Sequence, residues 1–327
     1  MSEPDFTWAD GERLIRFGGR ALAAAPELLR SRGFEGYALL TTERARGAAA
    51  ALVEGADVVL DVPSGPVPEA AAAVREAVGG RPVVALGGGR VVDSAKAIAG
   101  ADGVACAAIP TTLSGAELTG FHRLPAGAEG GTLVRPSLVI ADPELMASQP
   151  MPALAASAMN ALAHAVEATY TPLANPVATM AAVEAAAHIA RALDGEPDRE
   201  LLALGALLAA YACGQTGYAV HHVVCQTLVR VGRIPHAETN ATMLPHSVRL
   251  MRGRAPGQIE QIERALGGTD GADRLAARAG VTGLRALGFD GALVDEVVEA
   301  VLPRPELQNT PQPPGASELR AFLEGAL

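Results

Sequence analysis

The chain of 327 residues carries 26 basic against 36 acidic side chains, a net charge of −10 that argues against a nucleic-acid partner or an anionic membrane surface. Its 49% hydrophobic and 19% charged content belongs to a well-cored globular protein, long enough for two domains. The three cysteines, Cys106, Cys213 and Cys225, have no paired spacing, there is no signal peptide, and no apolar run reaches the roughly 18 residues of a membrane span. A soluble cytoplasmic protein is therefore expected.

In chain order, the strand candidates are GYALLTT (36–42), DVVLDV (57–62), PVVALGGG (82–89) and GVACAAIPTT (103–112). Helical runs lie between them: ALAAAPELLRSRG, RARGAAAALVEG and VPEAAAAVREAVGG, each closing on Gly. Pro68 falls in the first turn of the last, where a missing N–H is harmless. The alternation predicts a doubly wound α/β domain with a parallel sheet over residues 1–148. Residues 113–141 break the pattern, with one short strand at Leu138–Ile140. From Met151 onward the signal is helical, so 149–327 should be an all-α domain. The run 302–317 reads as a proline-rich connector, and Ser317 as the cap of a final helix.

Two stretches in the first half suggest a nucleotide. VVALGGGRVVDSAKAIAG is a strand, three glycines and a helix, which lets a backbone approach a phosphate closely and offers free N–H groups to it. It is neither a G-x-G-x-x-G nor a P-loop pattern, and Asp93 with Lys96 at i,i+3 reads as a helical ion pair. IPTTLSG places Thr111, Thr112 and Ser114 at a strand's C-terminal end, where open α/β sheets bind ligands.

In the second half, SAMNALAHAVEATY puts Asn160 and His164 on one face of an apolar helix. Buried polar groups without partners cost about 1–3 kcal/mol each, so this pair needs something to face. Four of the seven histidines, His221, His222, His236 and His246, fall in 221–246. Three imidazoles and an oxygen, from His164, His222, His236 and Asn160, would suit Zn²⁺ or Fe²⁺ if their helices converge.

In combination these motifs resemble the iron-containing alcohol dehydrogenase superfamily, which also includes glycerol dehydrogenase and dehydroquinate synthase, and within it the maleylacetate reductases. GGGRVVDSAKAIA is similar to the family's GGGS-x-x-D-x-x-K turn, and IPTTLSGAELT to its P-T-T-x-x-G-[ST]-E-x-T segment. ADPEL matches D-P-x-L, SAMNALAHAVE the reductases' S-G-M-N-A-x-A-H-A-V-E, and VHHVVCQTL…IPHAETNATMLPH their paired-histidine and L-P-H-A-E runs. The resemblance implies a nucleotide-binding domain, a helical domain and a cleft between them, in a homodimer. NADH or NADPH would lie on Gly87, Gly88 and Gly89, with Thr111, Thr112 and Ser114 lining it and Arg90, Asp93 and Thr42 nearby. In metal-dependent members the ligands correspond to Asn160 (there Asp), His164, His222 and His236.

Three departures from that pattern carry expectations. Asn160 removes an anionic ligand, which predicts weak or no metal binding. Gln226 stands where the family has a histidine beside the nicotinamide, and an amide cannot shuttle a proton; His221, His222 or water would then protonate the product. Arg90 replaces a Ser, and a guanidinium suits a pyrophosphate turn. Thr42, with Arg44 and Arg46 close by, replaces the acid that many NAD-preferring members use for the ribose, which predicts tolerance of a 2′-phosphate. The function expected is NAD(P)H-dependent hydride transfer to a small anionic oxo-acid or enone. Arg123 or Arg135 would supply counter-charge. The alternatives are a lyase or cyclase of the dehydroquinate synthase kind that retains NAD, or a catalytically impaired NAD(P)-binding homologue.

Overall fold

Seven short strands of mostly branched and small apolar residues pair into one sheet in the computed structural model, which describes residues 4–327. They are β1 (Phe6–Asp10), β2 (Arg13–Phe17), β3 (Ala38–Thr41), β4 (Val58–Asp61), β5 (Val83–Gly87), β6 (Cys106–Pro110) and β7 (Leu138–Ala141). Their order is β1-β2-β7-β6-β5-β3-β4. All neighbours are parallel except β1 and β2, which form an antiparallel hairpin at the edge, so the sheet is mixed where a parallel one was expected. The hairpin's signal was Asp10-Gly11, with Gly11 at φ 60° in the turn. β3, β5, β6 and β7 have no exposed residue, as strands covered on both faces require.

Helices cover both faces of this sheet: α1 (Ala25–Ser31), α2 (Glu43–Arg46), α3 (Ala50–Glu54), α4 (Val67–Val78), α5 (Gly89–Asp102) and the short α6 (Pro143–Met146). One core packs Val74, Val92 and Ile98 against the sheet, and a second packs Leu29, Phe34 and Leu52 against it. RARGAAAALVEG gives two short helices, α2 and α3, where one was expected, because the chain turns at 47–49 between them. β3 sends its connection outward to β4 and the chain then returns to β5 on β3's other side. The sheet's switch point therefore lies between the C-terminal ends of β3 and β5, which are followed by Thr42 and by Gly88 and Gly89.

Residues 113–136 contain neither helix nor strand, and α5 holds them in place. Lys96 is fully buried and its ammonium donates to the carbonyls of Ala116 (2.8 Å), Thr119 (3.0 Å) and Phe121 (2.9 Å), while Asp93 Oδ1 lies 2.8 Å away. The expected i,i+3 pair is thus also a latch on an otherwise irregular segment. Gly100 is the second attachment, its carbonyl accepting from Thr132 N at 3.0 Å.

The chain's second compact unit runs from Gln149 to Leu327, the first ending at Ser148. It is built from α7 (Ala153–Ala168), α8 (Pro176–Ala192), α9 (Arg199–Thr216), α10 (Val220–Gly232), α11 (His236–Arg252), α12 (Pro256–Ala265), α13 (Gly271–Arg278), α14 (Val294–Val301) and α15 (Ala316–Glu324). Helix α7 is its centre, packed on α8, α9 and α11 with 14 of its 16 residues buried. Alanine at half of its positions permits that close approach on every side. Gly217 at φ 78° ends α9 and lets the chain turn into α10. Gly315, not Ser317, caps α15, and the Glu318 carboxylate accepts from its N–H at 3.4 Å. Among the described residues no single helix is long and apolar enough to cross a membrane.

A methyl group at Gly100 would lie 2.2 Å from the Thr132 carbonyl oxygen and 3.1 Å from a His122 ring carbon. Gly100→Ala is expected to cost about 1–3 kcal/mol by overpacking, read as a lower urea midpoint at unchanged slope. A midpoint equal to wild type would show that the segment yields freely.

Candidate active site

At the switch point, β5 runs into α5 with Gly88 as N-cap and no side chain capping the helix, so its first N–H groups are open. The glycines are there for space. A Cβ on Gly87 would meet Val91 at 2.7 Å, one on Gly88 the Thr112 methyl at 3.0 Å, and one on Gly89 the Ser114 side chain at 3.1 Å. Thr111 N donates to Gly87 O at 3.0 Å, joining the two motifs. Thr112 Oγ1 is buried without a partner. Open helix N–H groups, a backbone with no side chains in the way and a waiting hydroxyl fit a pyrophosphate. Arg90 is exposed beside them. Thr42 accepts from Ala45 N at 3.3 Å, capping α2, Arg46 lies 3.3 Å from Asp61, and Arg44 reaches Ser148 Oγ at 3.3 Å.

In the helical unit the polar pair of α7 faces α10. Asn160 is 4% exposed with its Oδ1 unpartnered, and His164 Nδ1 and His222 Nε2 are likewise enclosed without a hydrogen bond. The rings of His164 and His222 stack at 4.3 Å and 6°. Glu167, one turn along α7 from His164 and fully buried, receives His222 Nδ1 at 2.6 Å on one oxygen and His221 N at 2.7 Å on the other. That bond puts the His222 proton on Nδ1 and leaves Nε2 as a bare acceptor.

Burial governs the titration of this cluster. Desolvation, and then the neighbouring histidines, hold His164 well below its usual value, and desolvation takes His221 and His222 down to about 3. Burial also raises Glu167, opposed by His221 and by backbone N–H groups of 219, 221 and 222. The imidazoles are therefore neutral at pH 7 and give an anion no counter-charge. His221 is a support: its Nδ1 lies 2.8 Å from Ser247 Oγ and its Nε2 3.0 Å from Asn240 Oδ1, so neither nitrogen is left for a substrate. His236 begins α11, exposed, with Nε2 3.3 Å from Asn240 Nδ2.

Gln226 is not an empty place left by a histidine. Its Oε1 accepts from Arg304 Nη2 at 3.0 Å, and the same nitrogen donates to Tyr218 Oη at 3.2 Å. Tyr218 Oη donates to Glu306 at 3.1 Å, Arg304 Nε to Glu306 at 3.2 Å, and the Tyr218 ring meets His222 edge-on at 5.9 Å. Asn309 Nδ2 donates to Tyr218 O at 2.8 Å, and Thr310 Oγ1 receives Val220 N at 3.0 Å, capping α10. The proline-rich run is thus bonded to the start of α10 rather than serving as a spacer. Glu167, Tyr218, Arg304 and Glu306 were not singled out from the sequence. Glu167 alone had a signal, an acid on the Asn160–His164 face of an apolar helix. Arg123 and Arg135 belong to the N-terminal unit.

The donor set does not fit a divalent metal. Imidazole lone pairs lie in the ring plane, and two rings 6° from parallel at 4.3 Å share no common point near both nitrogens. Asn160 brings no charge, and among the described residues no three His, Cys, Asp or Glu side chains are arranged to hold an ion.

Comparison with known proteins identifies the lineage. The iron-containing alcohol dehydrogenase family matches residues 16–150, and the C-terminal domain of the Fe-containing alcohol dehydrogenase family matches 154–298. The chain belongs to the iron-containing alcohol dehydrogenase family. This family member is 32% identical to the maleylacetate reductase of Rhizobium sp. strain MTP-10005 over 98% of this chain and 97% of that one. The crystal structure of that reductase superposes with a TM-score of 0.86 over 99% and 98% of the two chains. Maleylacetate reductase 1 of Rhodococcus opacus is 36% identical over 75% of this chain and 72% of its own. An iron-containing alcohol dehydrogenase of Corynebacterium glutamicum ATCC 13032 is 28% identical, with a TM-score of 0.87 over 100% and 97%. This family member is an NAD(P)H-linked oxidoreductase.

Each buried imidazole takes up its proton more readily in the unfolded chain, so acidification from pH 6.5 toward 3 favours unfolding. The raised Glu167 acts in the opposite sense, one group against three. The urea midpoint is expected to be lower at pH 5 than at pH 7.5, with a smaller drop in His164→Gln. Equal drops in both proteins would count against a neutral His164.

Proposed function

We propose that the chain is an NAD(P)H-dependent reductase of the maleylacetate type, reducing a small oxo-acid or enone. The observation that carries this is the cluster of Asn160, His164 and His222, three enclosed and unpartnered polar atoms backed by Glu167, in a chain similar to maleylacetate reductases over nearly its whole length.

The glycine turn and the open start of α5 hold the pyrophosphate of the dinucleotide, and Thr112 donates to it. When bound, the nicotinamide supplies the hydride. His222 Nε2 accepts from the hydroxyl of an enol or alcohol form of the substrate, with Asn160 beside it, and a proton from water completes the reduction after the hydride has moved. Glu167 keeps the His222 proton on Nδ1, so the acceptor face of the ring is constant through the reaction. No step calls for a metal ion.

With maleylacetate, the purified protein should oxidise NADPH at least as fast as NADH, one cofactor per substrate. It should hold iron and zinc far below one per chain, and its rate should survive chelation. Stoichiometric metal lost together with activity would defeat the metal-free reading. Product formed with no net change of cofactor would favour a lyase.

Removing the second oxygen of the clamp is a sharper probe. Glu167→Gln leaves an acceptor for His221 N but no anion for His222 Nδ1, and a fall of about 10–100-fold in kcat/KM is expected. Activity within twofold of wild type would mean that the His222 tautomer is immaterial.

A further inference from the structure

Two of the enclosed atoms of the histidine cluster are acceptors. His222 Nε2 is bare because Nδ1 donates to Glu167, and Asn160 presents its Oδ1. Such a wall takes hydroxyl or N–H donors and repels a carboxylate, and its imidazoles carry no charge at neutral pH. An oxo-acid therefore needs a cation from outside the cluster, and the helical unit itself holds one.

We propose that Arg304, on the proline-rich run 302–317, recognises a carboxylate of the substrate; this rests on the oxo-acid reading above. Three bonds fix its guanidinium. Nε donates to Glu306 at 3.2 Å, and Nη2 donates to Tyr218 Oη at 3.2 Å and Gln226 Oε1 at 3.0 Å. Among the described residues nothing accepts from Nη1, so one end of the fork remains open. The side chain is only 22% exposed, and a fork held this way loses little further freedom on binding an anion. Its anchors lie on the side of α10 that carries the cluster: Gln226 is one turn after His222, and the Tyr218 ring is edge-on to His222. Glu306 pairs with Arg304 through Nε and also accepts from the Tyr218 hydroxyl, so what the guanidinium offers a substrate is the directional N–H donors of its open Nη1. Gln226 has the part that a histidine would fill poorly: a neutral acceptor that turns the guanidinium without competing as a cation.

The test is selectivity. Initial rates of NAD(P)H oxidation are measured with maleylacetate and with its dimethyl ester, for wild type, Arg304→Gln and Arg304→Lys, with thermal melting as the check on folding. Arg304→Gln is expected to raise KM for the acid at least 30-fold with kcat within about threefold. The ratio of kcat/KM for acid over ester should fall at least 30-fold. Arg304→Lys, which keeps the charge but loses the fork, should recover part of that ratio, and it carries the test if the Gln variant does not fold. Equal losses on acid and ester would make Arg304 a structural brace of α10 and overturn the proposal. A wild type that reduces the ester and not the acid would also overturn it, while leaving the oxidoreductase intact. A wild type that oxidises NAD(P)H with neither compound would remove the maleylacetate-type reading and this inference together.

Discussion

A carboxylate with no access to water organises the helical unit. Glu167 sits on the most buried helix, and its two oxygens are met chiefly by a backbone N–H and an imidazole from the first turn of α10, with the Tyr170 hydroxyl 3.5 Å away. That requirement fixes where α10 begins, hence which face it turns toward α7, and hence that His222 stacks on His164. The cluster's geometry is therefore a consequence of neutralising one buried acid. The same bond decides chemistry, because it settles which nitrogen of His222 carries hydrogen.

The nucleotide half solves a different problem, how to leave backbone uncovered. Its glycines hold space open at the end of β5, and the surrounding side chains are packed to the limit of that space. A buried ammonium then substitutes for regular structure in the next segment, with Lys96 collecting three carbonyls that a helix or strand would otherwise satisfy. Both halves leave polar atoms enclosed and unpaired: Thr112 in one, Asn160, His164 and His222 in the other. Each costs stability until a ligand or water completes its bonds.

Much of this was legible in the chain. The alternation of strand and helix, the glycine turn and the Asn160–His164 pair all depend on local patterns, and the structure places them where those patterns put them. The edge hairpin was missed because β1 alternates half-buried with exposed residues and β2 buried with half-buried ones instead of forming apolar runs, leaving only Asp10-Gly11 as a cue. The split of one expected helix into α2 and α3, and the cap at Gly315, are boundary effects that depend on tertiary fit. Gln226 was read as a loss, since one sequence shows which residue is absent and not what a distant residue supplies. Arg304 lies 78 positions away, and no spacing rule links them. The charge state of the histidines was equally hidden, because residue type gives a usual value while enclosure sets the actual one.

The cap that Thr310 places on α10 has a temporal side. Translation delivers Asn160 and His164 early and the run carrying Arg304, Glu306, Asn309 and Thr310 some 140 residues later, so a nascent chain holds the histidine pair well before the group that closes the start of α10. Until that run emerges, the α10 amide at Val220 lacks its acceptor and Tyr218 lacks three of its partners. The pocket is thus finished from its far end.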